Sequence, residues 1–189
     1  MNQRGREFLE RLRSEVLVGD GALGTMLGER GFGRESCYER LNLSHPDMIR
    51  GIHAEYLEAG AFVSTTNTFG ANRTKLPVPC GDDEVVELNR AGVRLAREAV
   101  GDRAFVAGSV GPLSAPSDPF GTDSLTDDAV REIFREQILA LADAGSDLLM
   151  LETFTDLRQL LLAIAVAKEQ TDLPVVAQMA FHERAHTLH

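Results

Sequence analysis

Three polar residues stand at the ends of short apolar runs and could together bind a charged small molecule. They are Asp20, Asn67 and Glu152. Carboxylates such as those of Asp20 and Glu152 attract an ammonium group, and backbone amides near Gly21 and Ala22 suit a carboxylate. The set therefore predicts a site for an α-amino acid. The alternative interpretation is that each side chain caps the segment that follows it, as Asp and Asn often do.

The stretch Gly19–Gly24 has the glycine spacing G-x-G-x-x-G, which is typical of dinucleotide-binding loops. Two features argue against a nucleotide. Asp20 places a carboxylate where a pyrophosphate would lie. Gly28, Gly31 and Gly33 are expected to interrupt any helix whose N-terminus could bind phosphate. A nucleotide-binding oxidoreductase is therefore the weaker hypothesis.

Two further patterns concern metal binding. His182–His186 matches H-E-x-x-H, in which two histidines on one helix face bind zinc. Only three residues follow it and no apolar helical stripe surrounds it, so a chance match in a loop is the preferred interpretation. Cys37 and Cys80 lie 43 positions apart without a CxxC partner, and we interpret both as ordinary thiols.

The elements that must position these residues alternate between strands and helices. Five apolar runs are predicted strands: Val16–Gly19, Phe62–Thr66, Ala104–Ser109, Leu148–Glu152 and Val175–Ala180. Helical patterns cover residues 45–59, 83–100, 127–144 and 156–169. Such alternation predicts parallel βα units. Because a barrel of eight units needs about 250 residues, the pattern indicates either a barrel cut short or an open sheet.

The ends of two predicted helices carry recognisable signals. Ser44 and Asp47 have the spacing of a capping box, and Gly60 follows that helix as a stop. Thr126 is the predicted cap of a later helix, which Gly145 ends. These signals fix where the neighbouring strands can begin.

An internal repeat supports the modular interpretation. Residues 58–60 and 143–145 precede predicted strands that end at 67–69 and 152–154, and both pairs are offset by 85 positions. The repeat aligns Asn67 with Glu152 at matching strand ends. Barrel enzymes place their chemistry at such ends.

Composition narrows the class of protein. With 189 residues, 43% of them apolar, the chain can bury a substantial core and is expected to form one domain. Its net charge of −10 would repel nucleic acid and anionic membranes, which favours a small-molecule partner. The apolar runs are shorter than the roughly 18 residues of a membrane span, and no secretory signal is recognisable. We therefore expect a cytoplasmic protein.

Longer stretches around the polar residues resemble the signature loops of the homocysteine S-methyltransferase family. These are residues 20–26, DGALGTM, and 66–73, TNTFGANR. The resemblance continues through 42–43, 58–61, 106–112 and 151–153, so it covers nearly the whole chain. It is most similar to the homocysteine-binding modules of methionine synthases and of bifunctional proteins that join this module to a methylenetetrahydrofolate reductase.

The resemblance implies a (β/α)₈ TIM barrel, here truncated after about strand five, with residues 1–189 as the N-terminal part of a homocysteine-binding domain. In that family the zinc-activated thiol of homocysteine accepts a methyl group to form methionine. Carried over by position, Asp20 and Glu152 would bind the substrate ammonium, with Gly21 and Ala22 near its carboxylate. The implied substrate site comprises Asp20, Gly21, Ala22, Asn67, Thr68, Phe69 and Glu152.

Zinc suits this chemistry because coordination converts a thiol to a nucleophilic thiolate near neutral pH. The family takes its zinc cysteines from an Asn-Cys and a Gly-Gly-Cys-Cys motif in later strands, and the sequence to His189 contains neither. No metal ligand and no certain catalytic residue is therefore predicted here. The expected partners are homocysteine and a methyl donor or donor-carrying module. The alternative is a non-catalytic amino-acid-binding or interaction protein that has lost the zinc site.

Overall fold

Four strands form one parallel sheet in the computed structural model, which describes residues 2–33, 36–78, 80–81, 83–113 and 125–181. The strands are β1 (Val63–Thr65), β2 (Phe105–Val110), β3 (Leu148–Phe154) and β4 (Val175–Met179). They lie side by side in chain order, and each neighbouring pair is parallel. The predicted alternation of parallel βα units is confirmed.

Helices precede and connect the strands, and the three longest of them cover one side of the sheet. In the described residues they are α1 (Gln3–Arg11), α2 (Leu23–Glu29), α3 (Leu41–Ser44), α4 (Pro46–Glu58), α5 (Glu84–Val100), α6 (Asp127–Asp143) and α7 (Leu157–Gln170), with a 3₁₀ turn at Tyr38–Arg40. The four predicted helices correspond to α4, α5, α6 and α7. Within the described ranges, no helix is both long and apolar enough to cross a bilayer.

Three of the predicted helix ends are confirmed. The Thr126 hydroxyl accepts a hydrogen bond from the Ala129 amide at 3.2 Å, which satisfies a free N–H of the first turn of α6. Gly60 and Gly145 follow α4 and α6 with φ angles of +100° and +96°. That left-handed conformation is readily adopted only by glycine, so each helix ends where the sequence indicated.

The predicted capping box at the start of α4 is wrong. His45 occupies the N-cap position without a side-chain cap bond, and Pro46 opens the helix. Ser44 instead belongs to the end of α3, where its hydroxyl donates to the Arg40 carbonyl at 3.2 Å. Pro46 explains the difference, because its fixed φ suits the first helical position and it has no N–H to cap.

The first predicted strand, at residues 16–19, is also corrected. Only Gly19 makes a ladder contact, an isolated parallel bridge to Val63. The Phe62 amide donates to the Val18 carbonyl at 2.7 Å, so the segment still runs along the outer edge of β1. Val16 is 88% exposed and precedes the paired part. Only the last two residues of the segment contact β1, so the paired part is too short to form a regular strand.

A helix follows the glycine-rich loop, although Gly28 was expected to interrupt it. α2 includes Gly28 and ends before Gly31, which has a φ of +92°. Leu27 is fully buried and packs in one cluster with Ile49 of α4. Tertiary packing of this apolar face outweighs the cost of about 1 kcal/mol that a glycine brings to a helix interior.

Alternate side chains of the sheet enter two different layers. Val106, Val110, Leu149 and Leu151 point toward α5, α6 and α7 and form the main core with them. The opposite face, which we call the site face, carries a second cluster made by Val63, Phe105, Ala107, Leu148 and Phe8 of α1. The Phe8 and Phe105 rings meet edge to face with centroids 5.4 Å apart, so α1 packs over the amino-terminal end of this face.

The site face changes from apolar to polar along the strands. Residues two positions apart on a strand share a face, so Ser109 follows Phe105 and Ala107 on the same side of β2. By the same spacing, the polar residues that end the site face are Thr65, Ser109, Glu152 and Gln178, one from each strand. The cross-strand register pairs Thr65 with Ala107 and Ser109 with Met150, so the four residues form a diagonal row across the carboxyl end of the sheet. This row is the floor of the candidate site.

Candidate functional site

A cavity of about 750 Å³ opens at the carboxyl edge of the site face. Six of the seven predicted site residues line it, namely Asp20, Gly21, Ala22, Asn67, Phe69 and Glu152. Thr68 does not: it is fully buried, and its hydroxyl donates to the Ser109 carbonyl at 2.8 Å. The structure therefore gathers the predicted loops around one cavity and assigns Thr68 to their support.

Asp20 is held at the cavity by the backbone of β1. Its Oδ2 accepts a hydrogen bond from the Thr65 amide at 2.7 Å, and its own amide donates to the Val63 carbonyl at 2.9 Å. Burial raises the pKa of Asp20 to about 6, and the negative charge of Glu152 adds to the rise, while the hydrogen bonds from Thr65 oppose it. Asp20 is therefore a desolvated carboxylate in a fixed position.

Glu152 reaches the same cavity from β3. The Ser109 hydroxyl donates to its Oε1 at 2.5 Å. Burial raises the pKa of Glu152, and the Ser109 hydrogen bond opposes that rise. The next residue, Thr153, has a φ of +62°, and the register shifts between Leu151 and Phe154. This bulge lets Phe154 pack in the main core while Glu152 remains on the site face.

The carboxylates of Asp20 and Glu152 line the same cavity without a compensating cation. In the described part of the chain, neither Asp20 nor Glu152 takes part in an ion pair with Arg, Lys or His. Placing two partly buried negative charges together is unfavourable unless a positive charge joins them. The arrangement is suited to a cationic group of a ligand.

Hydrogen-bond donors lie beside these carboxylates. Among the described residues, the amides of Gly21 and Ala22 donate to no protein acceptor, and both residues line the cavity. The Tyr56 hydroxyl donates to the Ala22 carbonyl at 3.3 Å, and a Cβ on Gly21 would lie 2.8 Å from that hydroxyl oxygen. A side chain at this position would therefore displace the Tyr56 ring. The exposed amides can bind a ligand carboxylate.

Buried amide side chains fix the loop that follows β1. Asn42 donates to the Asn67 carbonyl at 2.8 Å, Gln137 to the Thr68 carbonyl at 2.7 Å, and Asn89 to the Ala71 carbonyl at 2.8 Å. The Asn67 amide nitrogen is itself engaged, because it donates to Asn42 Oδ1 at 2.9 Å. The loop is therefore rigidly placed, and the Asn67 nitrogen serves its structure.

Sequence reasoning missed several residues that line the cavity. Thr65, Ser109 and Gln178 belong to the polar row of the site face, and Tyr38 and Glu39 come from the 3₁₀ turn. The strand residues could have been found by counting back in twos from a polar strand end, since that spacing selects one face. Nothing in the local sequence places the 3₁₀ turn beside the cavity.

The described residues do not fit a zinc site. No group of three or more His, Cys, Asp or Glu side chains lies close enough to hold a metal ion within the described ranges. Cys37 and Cys80 are free thiols that pack against a separate apolar cluster, and burial raises the pKa of each. A thiol with a raised pKa is a poor ligand, because zinc binds the thiolate. The H-E-x-x-H match at 182–186 lies outside the described residues.

Fold and site together define an α/β protein whose parallel sheet has a cavity at its carboxyl edge, lined by the carboxylates of Asp20 and Glu152. Ligands of such sheets bind at that edge. The homocysteine S-methyltransferase family model matches residues 17–189. The chain therefore belongs to the homocysteine S-methyltransferase family.

Relatives of known name agree with this assignment. The chain is 34% identical over 175 residues to a methionine synthase of Mycobacterium leprae, a match that covers 86% of the chain and 14% of that protein. It is 32% identical over 177 residues to an S-methylmethionine–homocysteine S-methyltransferase of Pongo abelii, covering 92% of the chain and 46% of that protein. The chain thus spans about one-seventh of the methionine synthase and just under half of the second relative.

Solved structures show the same fold. The homocysteine methyltransferase MmuM of Escherichia coli, in its oxidized form, superposes with a TM-score of 0.84 at 24% identity, covering 98% of this chain and 68% of that one. Its metallated form gives the same TM-score and covers 69% of that chain. At this identity the likeness establishes the architecture and no more.

Proposed function

We propose that this chain is the amino-acid-binding part of a homocysteine S-methyltransferase, and that its sheet forms part of a (β/α)₈ barrel. Homocysteine binds in the cavity at the carboxyl edge of the sheet. Asp20 and Glu152 bind its ammonium group, and the amides of Gly21 and Ala22 bind its carboxylate. Asn67 and Phe69 contribute to the wall of the cavity.

The observation that carries the proposal is the pair of carboxylates without a cation. Burial disfavours the charge of Asp20 and of Glu152, and each carboxylate raises the cost of the other. A bound ammonium relieves both effects at once. Its charge-assisted hydrogen bonds are shorter and stronger than neutral ones.

The thiol of homocysteine needs activation that the described residues do not supply. In the family that role belongs to zinc, which would bind the thiol and lower its pKa. We assign no ligand to that metal in the described residues. What they contribute is to bind and orient the amino-acid end of the substrate, so that its sulfur has a fixed direction. The methyl donor, or a module that carries it, would approach from outside the described residues.

Calorimetric titration of the chain with two ligands tests the proposed roles. The ligands are homocysteine and 4-mercaptobutanoate, which lacks only the ammonium. The parent chain is expected to prefer homocysteine. Asp20→Asn and Glu152→Gln each preserve size and remove one negative charge, and a charged hydrogen bond contributes about 1.5–3 kcal/mol. Homocysteine affinity should fall about 10-fold to 150-fold, while affinity for 4-mercaptobutanoate should not fall.

A matched control separates this effect from net charge. Asp128→Asn removes one negative charge from an exposed position at the start of α6 and should leave both affinities unchanged. If both site variants bound homocysteine as tightly as the parent does, the ammonium assignment would be refuted.

A non-catalytic amino-acid-binding protein is the second candidate function. It is favoured by the missing metal-ligand cluster in the described ranges. Both candidates predict homocysteine binding, so methyl transfer separates them. The assay uses a longer form of the protein that carries the Asn-Cys and Gly-Gly-Cys-Cys motifs. Incubation with zinc, homocysteine and S-methylmethionine then gives methionine for the enzyme, whereas a gene that does not encode these motifs supports the binding protein.

A further inference from the structure

Three hydroxyl-bearing residues at the ends of β1 and β2 form a closed ring of hydrogen bonds. The Ser109 amide donates to Thr66 Oγ1 at 3.0 Å. The Thr66 and Thr68 hydroxyl oxygens lie 2.6 Å apart, and Thr68 Oγ1 donates to the Ser109 carbonyl at 2.8 Å. Since Thr68 has only one hydroxyl hydrogen, Thr66 must donate to Thr68. Every proton in the ring therefore has a defined place.

The ring fixes the backbone of Ser109 on the side of β1, just beyond the point where the pairing of β1 with β2 stops. The last paired residues of β1 and β2 are Thr65 and Ala107. Beyond them, the two threonine side chains satisfy both the N–H and the C=O of Ser109, in the manner of an additional strand partner. Thr66, Thr68 and Ser109 are all at most 2% exposed, so water does not compete for these bonds. Ser109 cannot shift without breaking buried hydrogen bonds.

Because its backbone is fixed, Ser109 can direct its side chain to a single acceptor. The Ser109 hydroxyl hydrogen lies on the 2.5 Å contact with Glu152 Oε1. That length is typical of a hydroxyl bound to a charged carboxylate. Among the described residues, Ser109 is the residue whose side chain donates a hydrogen bond to the Glu152 carboxylate. The strained bulge at Thr153 holds the other end of the glutamate in place.

The remaining groups that face Glu152 oppose its charge or are neutral. Asp20, on the segment beside β1, is a like charge. Gln178 on β4 is uncharged, and its amide nitrogen lies 3.5 Å from the Met150 sulfur. No Lys, Arg or His among the described residues forms an ion pair with Glu152. Ser109 is thus the group that favours the charged form of this glutamate before a ligand binds.

We propose that Ser109 is the positioning residue of the ammonium site, where its hydroxyl keeps Glu152 charged and directed into the cavity, and that the Thr66–Thr68 pair positions Ser109. This inference rests on the proposed function, because it assigns Glu152 to the substrate ammonium. It adds that ammonium binding depends on a neutral side chain that acts through Glu152. It also gives Thr68, a predicted ligand contact, a supporting role.

The first test measures the Glu152 carboxyl group directly and needs no ligand. Titration by NMR of chain labelled with ¹³C at the glutamate carboxyl carbon, with Glu152→Gln for assignment, gives the midpoint of Glu152. In Ser109→Ala the midpoint should move to higher pH, and in Ser109→Thr, which keeps the hydroxyl, it should stay near that of the parent. Ser64→Ala is the matched control, because Ser64 is a buried strand serine whose hydroxyl contacts His53 on the opposite face. It should leave the midpoint unchanged.

The second test measures homocysteine affinity at two pH values. The two pH values are chosen from the Glu152 midpoints that the first test measures. Between the midpoints of the parent and of Ser109→Ala, the variant should bind homocysteine about 10-fold more weakly, since a tenfold change corresponds to about 1.4 kcal/mol, the size of a charge-assisted hydrogen bond. The difference should shrink at a pH above both midpoints. Ser109→Thr should restore binding at both pH values.

The outcomes separate the two ideas. An unchanged Glu152 midpoint in Ser109→Ala, or an affinity loss of equal size at both pH values, would overturn the role of Ser109. A shifted midpoint in a chain that does not bind homocysteine would support the Ser109 interaction and count against the proposed function instead. Unfolding of Ser109→Ala would show in the ¹³C spectrum. Ser109→Cys, which keeps the shape of the side chain but replaces the hydroxyl by a weak donor, then takes its place and should also raise the Glu152 midpoint; an unchanged midpoint would overturn the role of Ser109.

Discussion

Replacing Asp20 by asparagine is expected to stabilise the unliganded protein at neutral pH. Burial raises the pKa of Asp20 from 3.8 to about 6, which means that the folded state disfavours its charge. At about 1.4 kcal/mol per unit, a rise of this size corresponds to about 3 kcal/mol. Because part of the side chain contacts solvent, we expect about 1–3 kcal/mol. Asparagine has the same size, and its Oδ1 can still accept the Thr65 hydrogen bond.

The sign of the pH dependence follows from the direction of the shift. A carboxyl whose pKa is raised by folding contributes stability that is complete below about 3.8 and is lost as the pH rises through about 6. The asparagine variant does not titrate there. Its advantage over the parent should therefore be largest above pH 7 and small at pH 4.5. Urea unfolding followed by circular dichroism at both pH values measures the free energy of unfolding.

A paired carboxylate provides the control with the opposite sign. Asp147 is buried, accepts from the Val106 amide at 2.8 Å and contacts the Arg97 guanidinium at 2.6 Å. Asp147→Asn removes a charge that the fold compensates, and because the Arg97 side chain remains partly exposed to water, it should destabilise by about 1–3 kcal/mol. If Asp20→Asn also destabilised the protein at pH 7.5, or if its gain were equal at both pH values, the argument that Asp20 is an uncompensated charge would be wrong.

Three further perturbations test other parts of the structure. His53 is fully buried, and burial lowers its pKa from 6.5 to about 4. The free energy of unfolding should therefore fall as the pH drops from 6.5 to about 4. His53→Gln, made in the Asp20→Asn background, should remove this dependence of the free energy of unfolding on pH. Thr153→Asn should raise the free energy of unfolding by about 1 kcal/mol, because asparagine tolerates positive φ better than a β-branched residue. Asn42→Leu leaves the Asn67 and Leu88 carbonyls without their buried donor and should cost about 2–4 kcal/mol, with faster proteolysis of the loop after β1 as an independent measure.

Local patterns in the sequence were sufficient to predict the four long helices, the strands of the sheet and the two carboxylates of the site. Apolar runs and helical stripes report which side of an element is buried, and they located α4 to α7 and all four strands. Asp20 and Glu152 could be selected because each follows directly on an apolar run, and parallel strands bring their carboxyl ends together. The sequence also predicted the helix ends at Thr126, Gly60 and Gly145, because a helix cap depends on a few neighbouring residues.

Tertiary structure decided the features that depend on residues far apart in the sequence. α2 forms because Leu27 packs against a distant helix, and residues 16–19 do not form a strand because only their last residues contact β1. Thr68 and Ser109 are 41 positions apart, and only the register of β1 against β2 brings them together. The bulge at Thr153 then determines that Glu152 stays beside Ser109 while Phe154 enters the core. A strand's sequence gives its two faces, but which side chains meet across strands depends on register and bulges, which are set by packing of the whole sheet.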